Sequence, residues 1–272
     1  MRDDGNLAQF DRPPVVEIVG AAQFVALPRL ELRDVVRVSQ ALDDFDLQEL
    51  QPELPPMNEA PPGGPDPQQM VFAFGQPPPR ALFVRRDGRF VAQLQRDRLA
   101  INERRLAPDD PDPSSTHVWP ELDRLTAQVA ETLVQEEGYG PRHPTFVELT
   151  YVNVVHPAPG VWATHEDMHR VVQVVREAAG EEPFAHAERV STRLSFPLFD
   201  AGNAFGGRLH VAAEPAYTAE GAPIVQLNLF SRRMVGQKED LASVFDRCHT
   251  DVVGAFVAIT TPEMHAAWQR TK

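Results

Sequence analysis

The residues with the most explicit chemistry are His165, Glu166 and His169, which together match H-E-x-x-H. On an α-helix two histidines four residues apart share a face, so both imidazoles reach one zinc ion. The glutamate between them then serves as general base for the bound water. Asp167 and Arg170 place charge where a buried metal site keeps apolar neighbours, and a third ligand would have to come from Glu181, Glu182 or His186. Solvent-facing histidines at the start of a helix account for the same letters. The expectation is therefore no metal and no cofactor, with zinc-dependent hydrolysis through His165, Glu166 and His169 as the alternative.

A second group of residues suggests binding rather than catalysis. Glu17 and Glu148 occupy equivalent places in two apolar segments, Pro14 to Ile18 and Thr145 to Leu149. Paired carboxylates can do acid–base work or hold a cation; here an arginine partner for each is the expectation. The candidates are Arg80, Arg85, Arg86, Arg89, Arg96, Arg98, Arg104 and Arg105, which fall within one short stretch. Arg85, Arg96 and Arg98, with Glu17 and Glu148, are the predicted binding residues. Because alternate strand residues face opposite sides, these arginines cannot all share one face. Cys248 and His249 point about 100° apart on a helix and make no dyad. Cys248 belongs instead to an apolar stripe with Leu241, Val244 and Val252. The glycine-rich stretch 202–207 lacks the lysine of a phosphate loop and reads as a hairpin turn.

The net charge of −13 argues against a protein that coats nucleic acid, whose affinity comes from Lys and Arg. It leaves room for local binding through the arginine-rich meander 80–105, the second alternative. The single cysteine excludes an intramolecular disulfide and a cysteine zinc cluster. Neither a signal-peptide pattern nor an apolar run of about 18 residues is present, so a cytoplasmic protein without a membrane span is expected.

The elements that must position these residues follow from periodicity. A strand from Pro14 to Phe24 precedes a helix over 30–45, whose Leu32, Val35, Val38, Leu42 and Phe45 share a face. The proline-rich stretch 52–67 reads as a long exposed loop. Four short strands are predicted at 70–74, 80–86, 90–95 and 98–105, with Asp87-Gly88 as a hairpin turn. A helix over 119–137 closes the set, stopped by Gly138.

The plan then restarts with a strand near 144–149 and a helix over 164–179. Strands at 189–198, 208–218 and 224–234, a helix over 240–259 and a short helix from Thr261 complete it. The predicted fold is α+β with two similar halves, each strand–helix–antiparallel meander–helix, the order used by tandem TATA-binding-protein-like folds. Residues 1–12 form a loose N-terminus, 13–140 the first half and 141–272 the second, with the C-terminal helices.

The opening strand with Pro14 and Glu17, the segments 94–102 and 147–153, and the ending Thr261-Pro262-Glu263-Met264 with Trp268 resemble a sporadically distributed bacterial protein family of unknown function. The resemblance runs through most of the chain. It implies an accessory bacterial system, and it brings no catalytic residues. The reading is a non-enzymatic binding or regulatory protein whose partner is another protein. Free sheet edges offer a homodimer surface, and the free sheet faces, or the groove between halves, are the expected functional surface.

Overall fold

The computed structural model describes residues 7–63, 79–133, 138–174 and 189–272. Their centre is one nine-stranded antiparallel sheet with strands ordered β2-β3-β4-β5-β1-β6-β9-β8-β7. The strands are β1 Val15–Val25, β2 Phe45–Pro52, β3 Pro79–Arg85, β4 Phe90–Gln95, β5 Arg98–Arg104, β6 Gly140–Val155, β7 Thr192–Phe199, β8 Phe205–Tyr217 and β9 Pro223–Met234. The helices are α1 Leu32–Ala41, α2 Ser115–Thr132, α3 Leu241–Ile259 and α4 Pro262–Ala267. Among the described residues the fold is thus α+β, and no helix is long and apolar enough to cross a membrane.

Alternation sorts each strand's side chains between two faces. Ile18, Ala22 and Phe24 of β1, Leu99 and Ile101 of β5, and Val147 and Leu149 of β6 face the helices and are buried. The start of α3 seals this core, through Val244, Phe245 and Cys248, together with α1 and α2. A second core lies under the rest of α3 and α4, where Val252, Phe256 and Trp268 meet Val211, Leu227 and Leu229. Phe10 closes it, edge-on to Phe256 at 5.5 Å.

Local chemistry places the helix ends. Ser114 caps α2 by accepting from the Thr116 N–H, Asp240 caps α3 through Ser243, and Thr261 caps α4 ahead of Pro262. The helix expected over 30–45 ends at Ala41, and Phe45 opens β2 instead. Asp43 and Asp44 break the helical period, and Phe45 still reaches the core, from a strand. The helix expected over 119–137 begins four residues earlier, at Ser115 just after its Ser114 cap, and its expected end, from 134, lies outside the described residues. The strand expected at 144–149 extends over sixteen residues as β6. The helix expected over 164–179 is a 3₁₀ turn, His165–Arg170, as far as Arg170. The strand expected at 70–74 and the end of that helix, from 175, lie outside the described residues.

Residues 53–60 also depart from expectation. They are exposed at Leu54, Pro55, Pro56 and Asn58, as a surface loop is, but they form a strap anchored across the sheet face that carries no helix. Prolines 55 and 56 keep it extended and out of any ladder. Its Met57 side chain is buried between Ala21 and Ala100, which lie directly opposite each other on β1 and β5.

A candidate binding site on the helix-free face

Five adjacent strands each contribute a polar side chain to a hydrogen-bonded row on the helix-free face: Gln51 of β2, Arg80 of β3, Gln93 of β4, Asn102 of β5 and Glu17 of β1. Arg80 Nη2 donates to Gln51 Oε1, and Arg80 Nη1 donates to Gln93 Oε1 at 3.1 Å. Gln93 Nε2 then donates to Asn102 Oδ1 at 2.9 Å, and Asn102 Nδ2 to Glu17 Oε1 at 2.6 Å. Each amide accepts on one side and donates on the other, so the row runs in one direction, from a guanidinium to a carboxylate. Such chains polarise along their length. The direct partner of Glu17 is therefore Asn102, with Arg80 at the far end, and not an arginine in contact.

The strap crosses beside this row. It runs across the strands, so it cannot join the ladder, and its backbone groups need other partners. Two buried glutamines supply them. Gln95 Nε2 donates to the Leu54 carbonyl at 3.0 Å while its Oε1 accepts from the Leu54 N–H at 3.1 Å. Gln23 does the same for Met57, donating to its carbonyl at 2.9 Å and accepting from its N–H. Between them Arg98 Nη2 donates to the Pro55 carbonyl at 2.6 Å. Before them Glu53 pairs with Arg96 at 3.0 Å. Burial shifts two groups beneath. The Asp97 carboxyl is pushed above its usual range despite a bond from Gln95, and the Arg98 guanidinium is pushed below its usual range despite the nearby charge of Glu148.

At its far end the strap places Glu59 among three basic side chains. The Glu59 side chain is only 3% exposed and meets Arg208 Nε at 3.0 Å, His210 Nε2 at 2.9 Å and Arg232 Nη1 at 2.9 Å. Burial works to raise the Glu59 pKa. The bond from His210, the charge of Arg232 and the bond from Arg208 outweigh it and hold the carboxyl below its usual range. Arg232 also clasps Glu148, with Nε at 2.8 Å and Nη2 at 2.5 Å from Oε2. Phe230 stacks on the His210 ring with centroids 4.5 Å apart. The arginine partner expected for Glu148 is thus present, supplied by β9 and not by the 80–105 meander.

Glu17, Glu148 and Arg98 therefore share the helix-free face. The two carboxylates do not form a pair: Glu148 lies opposite Ala21, four residues along β1 from Glu17, which is about 13 Å of strand. Arg85 is elsewhere, bound to Asp87 at 2.5 Å and stacked 3.8 Å over the Phe90 ring. Arg96 is at the hairpin before β5, held by Glu53. The other arginines of the meander are engaged locally, Arg86 by Asp46, Arg89 by Glu103 and Arg105 by Asp112, while Arg104 donates to the Gly88 carbonyl. The stretch 80–105 does not present a continuous basic strip.

The H-E-x-x-H residues take a different geometry from the one a zinc helix requires. In a 3₁₀ helix each residue turns about 120°, so His165 shares its side with Met168 rather than with His169. His165 is buried and its Nε2–H donates to the Ile224 carbonyl at 3.0 Å, while His169 Nδ1 lies 3.3 Å from the Glu166 carbonyl oxygen. Glu166 is exposed. Among the described residues no group of three His, Cys, Asp or Glu is placed to hold a metal; Glu181, Glu182 and His186 lie outside them. On the helix side a cavity of about 390 Å³ opens between the N-terminal segment, β6, β9 and α3. Phe10, Leu229, Val252 and Phe256 line it, and Tyr151 Oη faces His249 Nδ1 there at 2.9 Å.

Gln23, Gln95, Glu59, Arg208 and Arg232 were not singled out from the sequence. The two glutamines did carry a signal, each being a polar residue in a largely apolar strand. Glu59 carried none, because it stands in a proline-rich stretch poor in core residues. No protein-family model matches this sequence, and no curated protein is recognisably similar to it.

Proposed function

We propose that this chain is a non-enzymatic binding protein that recognises another protein on the helix-free face of its sheet, in an accessory bacterial system. One observation carries the reading: the face already holds an extended segment, residues 53–60, by its main chain. A sheet face that only shields a core has no need of paired amides aimed at backbone groups. The local neutralisation of most of the 80–105 arginines favours a protein partner over a nucleic acid, as does the net charge. The accessory-system setting rests on the family resemblance, and a cytoplasmic location on the single cysteine.

The reading includes two halves, 13–140 and 141–272, as variants of one plan. What supports this is the strand order on either side of the β1–β6 pair, with β5, β4 and β3 beyond β1 and β9, β8 and β7 beyond β6. The 3₁₀ turn His165–Arg170 stands where the first half has α1.

The test is to purify the tagged protein from its native host and identify its companions by mass spectrometry. Thr150→Arg and Gln226→Arg place new charge on the helix-free face, and Ala127→Arg does so at an exposed position of α2. A specific companion lost from the first two variants and kept by the third is the expected result. A companion kept by all three, with the variants folded, would move the binding surface elsewhere.

A further inference from the structure

We infer that the helix-free face is a reader of extended acidic peptides and that residues 53–60 are a resident copy of its ligand. This rests on the proposed protein-binding role and names the chemistry of the partner. The face has three parts that act at a fixed spacing along an extended chain. Gln95 and Gln23 each grip one residue by both its N–H and its C=O, at Leu54 and Met57. That grip ignores side chains, so it accepts any extended peptide.

Selectivity comes from the other two parts. Ala21 and Ala100 leave a shallow apolar dimple, flanked by Val19 and Phe146, that takes an unbranched side chain such as Met57. Two residues on, Arg208, His210 and Arg232 form a basic pocket that takes a carboxylate. In an extended chain residues 57 and 59 point the same way, so one peptide fills both. The span agrees: the five steps of extended chain from Leu54, held by Gln95 of β4, to Glu59, held by Arg232 of β9, cover about 17 Å. The four strand spacings from β4 to β9 cover about 19 Å, a difference within reach of the Arg232 side chain.

The face also holds donors that the strap leaves unused. The Nε–H groups of Arg98, beneath Pro55, and of Arg80, in the polar row, are buried with no hydrogen-bond partner among the described residues. A peptide that brings an acceptor to Arg98 gains a bond that the strap does not make. The partner is therefore a protein segment with an apolar residue followed two positions later by Asp or Glu, and it binds by displacing the strap.

The probe is a fluorescent peptide of the strap sequence, residues 53–60, titrated into the full chain by anisotropy. Met57→Asp should free the strap, because a carboxylate in the alanine dimple has no partner. The expected result is binding at least tenfold tighter to this variant than to wild type, whose own strap competes at an effective concentration in the millimolar range. Adding Gln23→Ala and Gln95→Ala should weaken it at least tenfold, as should a peptide with Ser for its Met or Gln for its second Glu. A folded Met57→Asp chain without saturable binding at millimolar peptide overturns the inference.

If that variant does not fold, hydrogen exchange on the wild type decides. Millimolar peptide should speed exchange of the Leu54 and Met57 amides, and an unchanged rate overturns the inference. A companion lost from Thr150→Arg alongside a failed peptide titration leaves the protein-binding role standing and removes only the peptide chemistry. Peptide binding with no face-dependent companion does the reverse.

Discussion

Glu59 is a carboxylate that would be costly if it stood alone, since burial without partners penalises charge heavily. Arg208, His210 and Arg232 remove that penalty and fix the strap's end. Glu59→Gln keeps the shape and removes the charge, and a loss of about 2 kcal/mol in urea unfolding is expected, as for buried hydrogen bonds to charged groups. The pH dependence has a definite sign. The folded-state pKa lies below the ordinary 4.5, so the stabilisation is complete above that value and is lost as pH falls through the folded pKa. The gap between wild type and Glu59→Gln should be full at neutral pH and close in acid; a gap that widens in acid would exclude this account. Cys248 offers a second check. It is fully buried, and burial pushes its thiol up to about 12, so thiol reagents should label it only at the rate of unfolding. Rapid labelling of the native chain would mean that α3 does not seal the core.

At the scale of elements, Gly20 sets how closely α2 and α3 approach β1. A Cβ there would lie 2.7 Å from Val118 Cγ1 and 3.1 Å from Phe245 Cε2. Gly20→Ala should cost about 1–3 kcal/mol by overpacking, measured as a fall in the urea midpoint. Val118→Ala in the same chain should recover part of it, because the two substitutions share one space; strict additivity would show that the helices can shift. Elements such as α3 and β3 to β5 were legible because their periodicity is local. So was the placing of Glu17, Glu148 and Arg98 on strands. β2 was hidden because Phe45 completes the helical face of α1 in sequence while belonging to the next element. The strap was hidden for a stronger reason. Glu59 reaches Arg208 and Arg232 across 149 and 173 residues of chain, a pairing that no local pattern contains. The helix expected over 164–179 failed for a local reason: its apolar spacing assumes 3.6 residues per turn, and the backbone at His165–Arg170 takes the tighter 3₁₀ form.

For the whole molecule, the question is whether the two core clusters are energetically one. Two features join them. β1 and β6 pair from Val15 to Val25, with irregularities only near the ends. α3 lays Val244, Phe245 and Cys248 on one cluster and Val252, Phe256 and Ile259 on the other. A helix continuous across both cannot lose half its support and remain in place, since most helical stability in proteins comes from the packed face. Unfolding should therefore be a single transition. Trp119 reports the first cluster through its contact with Phe245, centroids 5.1 Å apart, and Trp162 the second, where it is buried. Variants with Trp268 replaced by Phe and only one of these two tryptophans kept should share one midpoint and one slope in urea, apart from the common shift each substitution causes, which circular dichroism measures on the same samples. Fluorescence and dichroism that coincide within each variant mean one cooperative unit. A fluorescence transition that precedes the dichroism change in one variant and follows it in the other would mean that the β1–β6 seam and α3 do not couple the clusters, and that each folds on its own.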